Sequence, residues 1–269
     1  MWILECWILA LGYLSNKMNK TLGVIPARMS SSRFPGKPLE NILGVPMIAH
    51  CYERALISNS CDHLVIATPD IEIINWANSY QIPVLLTSDA HERATERAAE
   101  VIQILESQDI FFDYILLLQG DEPQINPEDI TKLKNAFDEF QADVINLIFP
   151  ISKDEMSDPN VVKAIISRSN QIKFFTRAHA PYQSEQGIRQ LGMIGFTNKA
   201  LKSYVNIEMT TLETLESIDM MRFLENDIEI QGVDSTSPIL GVDRPGDIKK
   251  AEIMMSDDDF VNQYQNKYL

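Results

Sequence analysis

Cysteine, basic residues and long apolar runs are all scarce in this sequence of 269 residues. Its three cysteines, Cys6, Cys51 and Cys61, form no CxxC pair and leave one thiol over, which argues against a disulfide scaffold and favours a reducing cytoplasm. Only 23 Lys and Arg residues stand against 38 Asp and Glu residues, for a net charge of −15. Nucleic acids and anionic membranes normally require a basic face, so neither is an expected partner.

One apolar run stands out, at residues 1–14, and it is too short to cross a bilayer as a helix. It carries Glu5 and lacks the basic start of a signal peptide, so no stable membrane span is predicted. Met18 then opens a strand-like run. We predict that translation begins at Met18 and that residues 1–17 are a mis-called start; a membrane-associating helix is the alternative. The intact mass of the native protein distinguishes the two.

The remaining composition is that of an ordinary globular protein, with 45% hydrophobic and 8% aromatic residues. No linker rich in Pro, Gly or Ser divides the chain, and it contains no internal repeat. The sequence therefore predicts one domain over residues 18–256. Residues 257–269 begin with three consecutive aspartates and are predicted to be an acidic, solvated tail without chemistry.

Strand-length apolar runs alternate with helical spacing in the first half of the chain. The predicted strands are residues 22–26, 63–68, 83–87, 114–119 and 143–150, and the predicted helices are 46–56, 71–80, 92–106 and 127–140. This alternation indicates an α/β fold: a doubly wound, mostly parallel Rossmann-like sheet whose ligands bind beyond the carboxyl ends of its strands.

After residue 150 the pattern changes to mixed strands. Strands are predicted at 161–167, 171–176, 190–197 and 227–233, with helices at 212–224 and 246–255. We expect these elements to extend the same sheet and to form an inserted lid.

Residues 26–39 (PARMSSSRFPGKPL) form a basic segment directly after the first predicted strand. Small hydroxyl residues and Gly36 let backbone N–H groups approach an anion, while Arg28, Arg33 and Lys37 supply charge for phosphate oxygens. The segment matches neither a Walker A loop nor a GxGxxG fingerprint. The alternative is a solvated basic loop.

Two acidic segments are candidates for a metal site. Residues 117–123 (LLQGDEP) place Asp121 where a buried strand ends, a position suited to holding Mg²⁺ against a phosphate. Residues 241–247 (GVDRPGD) offer Asp243 as a second ligand. Taken singly, each aspartate is equally explained as a turn residue.

These segments and five others occur in an order that resembles one family. The further segments are ATPD (67–70), ATER (94–97), DPNVVK (158–163), FFTRAHAPY (174–182) and QLGMIGF (190–196). From about residue 22 to about residue 255 the chain resembles the 3-deoxy-manno-octulosonate (Kdo) cytidylyltransferases, the CMP-Kdo synthetases of bacterial lipopolysaccharide synthesis.

The resemblance implies a fold of the nucleotide-diphospho-sugar transferase type, a homodimer formed through the inserted region, and Mg²⁺-dependent transfer of CMP from CTP to the anomeric hydroxyl of an acid sugar. Pyrophosphate is the other product. The implied triphosphate ligands are Arg28, Ser31 and Lys37. Residues implied near the cytidine are Thr68, Asp70, Thr95, Glu96 and Arg97. Residues implied to face the sugar are Gln119, Arg177, Gln190 and Glu213, and Asp121 and Asp243 are the implied metal ligands. Arg28, Lys37 and the two aspartates form the expected catalytic set.

Two departures from the family pattern fall on sugar-facing or ribose-facing segments. Gln190 and Ile194 stand where the family usually has His and an aromatic residue, and Arg93-Ala94 replaces a Ser-Gly pair. Glutamine can hydrogen-bond a hydroxyl but carries no charge, whereas Arg93 adds a cation. We therefore expect CMP transfer to an altered acid sugar, such as an amino-substituted Kdo.

Two other functions remain open. One is a nucleotidyltransferase of different specificity, such as a CMP-nonulosonate synthetase, although the Kdo-like second half argues against it. The other is a non-catalytic nucleotide-binding paralogue, which loss of Lys37, Asp121 or Asp243 would have favoured.

Overall fold

The structure, a computed structural model, describes residues 19–31 and 33–269, so the predictions for residues 1–17 lie outside it. Within this described part, no helix is long and apolar enough to cross a membrane. The strands are β1 (Thr21–Pro26), β2 (Asn41–Ile42), β3 (Val45–Pro46), β4 (His63–Thr68), β5 (Val84–Leu86), β6 (Tyr114–Leu117), β7 (Val144–Ile151), β8 (Lys163–Ile166), β9 (Gln171–Thr176), β10 (Gly187–Thr197) and β11 (Ile230–Asp234).

The helices are α1 (Met47–Ile57), α2 (Ile71–Ser79), α3 (Ala94–Glu106), α4 (Pro127–Phe140), α5 (Lys153–Met156), α6 (Asn198–Asn206), α7 (Thr211–Glu216), α8 (Met221–Leu224), α9 (Pro245–Met255) and α10 (Asp259–Tyr264). Short 3₁₀ turns lie at Lys37–Leu39 and Gln265–Lys267. The α4 helix begins at Pro127 because Asn126 caps it and proline fits the first helical position.

Nine strands form one sheet in the order β5-β4-β1-β6-β10-β7-β11-β9-β8. The α/β class is confirmed, and β5, β4, β1 and β6 are parallel. As predicted, the second half extends the same sheet with strands of mixed direction. There β10 returns from the β8–β9 hairpin, inserts between β6 and β7, and runs antiparallel to both.

Helices cover both faces of the sheet. In β1, Leu22 and Val24 pack with α3 and α6 on one face, whereas Ile25 packs with α1, α2 and α4 on the other. Because both faces are buried, the parallel strands read as near-continuous apolar runs. This packing brings the carboxyl ends of β1, β4 and β6 to one edge, where the loops after them meet.

The single helix predicted over 212–224 is wrong, because the chain forms two short helices, α7 and α8. The first ends at Glu216, and the next residue, Ser217, adopts a left-handed conformation with φ of 54°. The turn is held from outside, since Arg177 donates hydrogen bonds to the backbone oxygens of Glu216 (2.8 Å) and Ser217 (3.3 Å). Long-range hydrogen bonding therefore overrides the helical spacing.

The solvated tail predicted for the C-terminal residues is also wrong. Val261 and Tyr264 of α10 are buried against α1. Asp258 caps α10 and pairs with Arg54, whose side chain is only 2% exposed. Glu53 of α1 accepts hydrogen bonds from Lys267 and Tyr268. Residues 258–268 therefore form a C-terminal anchor that packs against α1, which their acidic composition did not predict.

Candidate active site

A cleft of about 270 Å³ opens at the carboxyl edge of β1 and β6. It receives residues from the basic loop, from the start of α3, from the loop after β6 and from the loop before α9. The lining residues are Pro26, Ala27, Arg28, Ser31, Arg33, Lys37, Pro38, His91, Glu92, Arg93, Ala94, Arg97, Gln119, Gly120, Asp121 and Asp243. Five of them are Arg or Lys, so basic side chains are concentrated around the cleft in an otherwise acidic protein.

The basic loop is held in shape from behind by two of the residues predicted near the cytidine. The Asp70 carboxylate accepts a hydrogen bond from Met29 N at 2.7 Å, and the buried Thr68 hydroxyl accepts one from Asp70 N at 3.1 Å. Neither Thr68 nor Asp70 lines the cleft. Gly36 turns the loop with φ of +79°, a backbone conformation that favours glycine. Arg28 and Ser31 lie on the cleft side of the same loop.

Lys37 lies between the two aspartates predicted to hold metal. Its Nζ donates to Asp121 Oδ2 at 2.6 Å and to the Val242 carbonyl at 3.0 Å, and it lies 3.6 Å from Asp243 Oδ1. Arg33 adds a second cation, with Nη2 at 2.8 Å from Asp243 Oδ1. Residues more than 200 positions apart in the chain therefore meet in one cluster.

The donor set fits a magnesium ion that completes its coordination with substrate phosphates and water. Asp121 and Asp243 keep 33% and 41% of their side chains exposed, so their oxygens remain accessible from the cleft. In residues 19–31 and 33–269 there is no group of three or more His, Cys, Asp or Glu side chains able to hold a metal alone. Mg²⁺ is commonly held by only one or two carboxylates plus phosphate oxygens. Gly120 lets the loop that carries Asp121 pack closely against the end of β1, since a Cβ at position 120 would lie 2.6 Å from the Pro26 carbonyl oxygen.

The start of α3 contributes Arg97 to the cleft, whereas Thr95 and Glu96 do not line it. Arg97 Nη1 donates to Thr87 Oγ1 at 2.6 Å and to Ser88 O at 2.8 Å. Burial, together with the nearby Arg28, lowers the pKa of Arg97 from its ordinary value. Thr95 is fully buried and donates to Asp219 at 2.7 Å, and Glu96 accepts the Arg93 N–H at 3.2 Å.

Arg93, which the sequence placed on a sugar-facing or ribose-facing segment, lines the cleft, and so does His91, for which no role was predicted. His91 Nε2 lies 2.7 Å from Glu100, and Arg93 Nη1 lies 3.5 Å from Ser217 Oγ. The Arg93 Nε is buried without a partner in the described chain. The replacement of the family's Ser-Gly pair by Arg93-Ala94 was the sequence feature that pointed to Arg93 as a residue of the cleft.

The residues predicted to face the sugar do not all lie at the cleft. Gln119 lines the cleft. Arg177 commits its guanidinium to the carbonyls of Pro159, Glu216 and Ser217, and Gln190 donates to Asn146 Oδ1 at 2.6 Å. These two lie outside the set of lining residues.

Glu213 is not brought to the cleft at all. Its side chain is fully buried and makes two 2.7 Å bonds to the Arg222 guanidinium. Those hydrogen bonds raise the pKa of Arg222. The Tyr204 hydroxyl lies 3.4 Å from the same carboxylate, and its ring packs under Arg222. Glu213 is thus part of the core beneath α7 and α8 and is closed to ligand in this structure.

Comparison with known proteins places the chain in a family. A family model described as Cytidylyltransferase matches residues 22–230. The chain is 32% identical over 249 residues to the 3-deoxy-manno-octulosonate cytidylyltransferase of Parabacteroides distasonis, with 87% of this chain and 97% of that protein covered. The enzyme of the same name from Oleidesulfovibrio alaskensis is 36% identical over 233 residues, covering 84% of this chain and 92% of the relative.

A solved structure shows the same likeness in three dimensions. The structure of CMP:2-keto-3-deoxy-manno-octonic acid synthetase complexed with CTP superposes with a TM-score of 0.82 at 31% identity. The match covers 89% of this chain and 99% of that one. The resemblance carried by the motifs is thereby confirmed. This chain belongs to the 3-deoxy-manno-octulosonate cytidylyltransferase family and is a nucleotidyltransferase.

Proposed function

We propose that this enzyme transfers CMP from CTP to the anomeric hydroxyl of Kdo or a closely related acid sugar, a step in surface glycan precursor synthesis. The observation that carries the proposal is the Lys37, Asp121 and Asp243 cluster at the edge of a cation-lined cleft. The family relatives named for this reaction, and the related structure with CTP bound, support the choice of substrates.

The reaction needs charge more than covalent chemistry. The anomeric oxygen forms a bond to the α-phosphorus, the bond from that phosphorus to the β-phosphate oxygen breaks, and pyrophosphate leaves while the hydroxyl proton is released. Arg28, Ser31 and Lys37, which line the cleft, would hold the triphosphate, and Arg33 and Arg97 would add positive charge. Such fixed cations stabilise charge that develops on the leaving group.

Asp121 and Asp243 are the residues that would hold Mg²⁺. When bound, the ion neutralises phosphate charge and lowers the pKa of a coordinated hydroxyl. Gln119 would position the sugar from the cleft wall. Arg177 and Gln190, which the resemblance implies to face the sugar, lie outside the lining residues in this structure.

The sugar itself is proposed to differ from plain Kdo, for example by an amino substituent. Arg93 and Gln190 support an altered sugar because both change segments that the resemblance implies to face it: Arg93 adds a cation to the cleft wall, and Gln190 is neutral. Full turnover of plain Kdo without preference for such analogues would contradict the idea.

We also propose a homodimer in the cytoplasm, with the region of β8, β9 and β10 forming the lid and subunit contact. Leu215 of α7 is 75% exposed and Met209 just before it is 50% exposed, which supports a subunit contact that also includes α7, in the same half of the chain. The free thiols of Cys51 and Cys61 support the compartment. Sedimentation velocity of the wild type and of Leu215→Lys tests the dimer, and a monomeric wild type would contradict it.

The deciding experiment measures pyrophosphate release with each of the four nucleoside triphosphates against Kdo, amino-substituted Kdo and nonulosonates, with and without Mg²⁺. The expected result is release only with CTP, only with metal, and with one sugar preferred. Release with a nonulosonate alone would favour a CMP-nonulosonate synthetase. Measurable CTP binding without release in any combination would favour the non-catalytic paralogue.

A further inference from the structure

The Lys37 ammonium is bound by oxygens of both acidic loops. Its Nζ donates hydrogen bonds to Asp121 Oδ2 at 2.6 Å and to the Val242 carbonyl at 3.0 Å, and it lies 3.6 Å from Asp243 Oδ1. An ammonium has three N–H donors, and at least two of them are committed to the acidic loops. The lysine side chain is only 12% exposed, so the solvent screens these contacts weakly.

Arg33 makes a similar contact with Asp243. Its Nη2 lies 2.8 Å from Asp243 Oδ1, the oxygen that also lies 3.6 Å from the Lys37 ammonium. The Arg33 side chain is 52% exposed, and exposed ion pairs are weak. Of the two basic side chains, Lys37 therefore makes the stronger contribution to holding the aspartates.

The same carboxylate oxygens are the ones proposed to hold Mg²⁺. Mg²⁺ binds carboxylate oxygens directly, and an ammonium group at one of those oxygens repels a second cation that approaches it. Lys37 therefore competes with the metal ion for Asp121 and Asp243. For the metal to bind both carboxylates strongly, the ammonium has to move away from them.

Lys37 also lines the cleft in which the triphosphate is proposed to bind, together with Arg28 and Ser31. The lysine ammonium stands on a flexible stem of four carbons, so it can turn from the carboxylates toward a phosphate without a change in the backbone turn at Gly36. Phosphate oxygens form strong charge-assisted hydrogen bonds with ammonium groups. The triphosphate is thus a competing anion for the same lysine.

We propose that Lys37 couples nucleotide binding to metal binding: its ammonium holds Asp121 and Asp243 until a triphosphate draws it away and leaves both carboxylates to the metal. The inference deepens the proposed function and rests on it. Coupling between two binding sites is reciprocal, so the metal in turn frees Lys37 for the triphosphate. The enzyme would then bind its metal tightly only together with its nucleotide.

The test measures the binding of Mn²⁺ alone to the full chain by electron paramagnetic resonance, in the absence of nucleotide. Mn²⁺ prefers the same kinds of oxygen ligand as Mg²⁺. We expect Lys37→Met to bind Mn²⁺ about tenfold more tightly than wild type, within the range typical of coupling between two sites. At saturating CTP the difference between the two proteins should shrink.

Unfolding by urea gives a second measurement that requires neither nucleotide nor activity. A ligand that binds only the folded protein raises its stability. Mg²⁺ alone should therefore raise the urea midpoint of Lys37→Met more than that of wild type. Lys37→Gln keeps a hydrogen-bond donor toward Asp121 but no charge, so it should behave like Lys37→Met and replaces that variant if methionine prevents folding.

Arg28→Met is the matched control, because it removes one positive charge from the same loop. Within the part of the chain that the structure describes, Arg28 forms no ion pair with Asp121 or Asp243. Its replacement should change the Mn²⁺ affinity much less than Lys37→Met does.

Equal Mn²⁺ affinities for wild type and the folded Lys37 variants would overturn the inference and leave the proposed function in place. An equal gain in Arg28→Met would overturn it as well, because charge removal anywhere in the loop would then explain the result. Wild type that binds Mn²⁺ neither alone nor with CTP would instead reject the metal role in the proposed function, and this inference with it.

Discussion

The Lys37 ammonium lies 2.6 Å from the Asp121 carboxylate and 3.6 Å from that of Asp243, and so joins the basic loop to both acidic loops. The lysine side chain is only 12% exposed, whereas both aspartates remain open to the cleft. One cation thus balances two carboxylates that would otherwise repel each other at short range. The pairing joins the proposed phosphate-binding loop to the two proposed metal ligands through one ammonium group.

Replacing Asp121 with Asn is expected to lower kcat for pyrophosphate release by about 100-fold or more, because the site loses a metal-binding charge at the reacting phosphate. The fold should persist, since Asp121 lies at the cleft edge. Asp109→Asn, on an exposed turn, is the control and should keep wild-type activity. Retained activity in Asp121→Asn, with unchanged metal dependence, would remove this residue from the metal role.

Replacing Glu213 with Gln is expected to destabilise the protein by about 3 kcal/mol, because Arg222 would keep a buried charge without its partner. The KM for the sugar should stay at its wild-type value. Urea unfolding and steady-state kinetics measure the two effects, with the exposed Glu208→Gln as control. A raised sugar KM without loss of stability would restore the role in sugar binding that the sequence predicted.

The C-terminal anchor is expected to contribute strongly to stability. Asp258→Ala removes both the cap of α10 and the carboxylate that pairs with buried Arg54, and should cost about 3 kcal/mol of unfolding free energy. Asp257→Ala, on the exposed neighbouring residue, should cost little. Equal urea midpoints for the two variants would show that the pair is not stabilising.

The stability of the anchor should also depend on pH through His50. Its Nε2 lies 2.9 Å from the Ile42 carbonyl, which can only accept, so in the neutral ring Nδ1 accepts from the Tyr264 hydroxyl at 2.7 Å. Burial lowers the pKa of His50 from 6.5 to about 4. Between these values the unfolded chain binds more protons than the folded one, so stability rises with pH across the window and is lost as pH falls from 6.5 toward 4.

Urea midpoints measured between pH 4 and pH 7 test this dependence. His50→Gln should be less stable than wild type at pH 7 yet show a shallower loss on acidification. His179→Gln, on an exposed histidine, should follow the wild-type profile. Parallel profiles for wild type and His50→Gln would contradict the assignment.

Sequence patterns located most of the elements but not their ends or their partners. The strand at His63–Thr68 and the helix at Pro127–Phe140 match their predicted bounds, because strong apolar periodicity and an Asn-Pro start mark them locally. Helix α6 (Asn198–Asn206) was missed. The break at Ser217 was missed because the turn is held by hydrogen bonds from Arg177, 40 positions earlier in the chain.

By itself, the sequence determined the α/β class, the basic loop with Lys37, and the two aspartates whose motifs point to nucleotidyl transfer. These features are encoded by periodicity and by short runs of residues, so neighbouring positions suffice to read them. The tertiary structure alone decided which polar groups are buried and what they pair with: Glu213 with Arg222, Asn146 with Gln190, and Arg54 with Asp258 across 204 positions. The reason is physical, because the cost of burying a charge or an amide depends on the partner that folding brings to it.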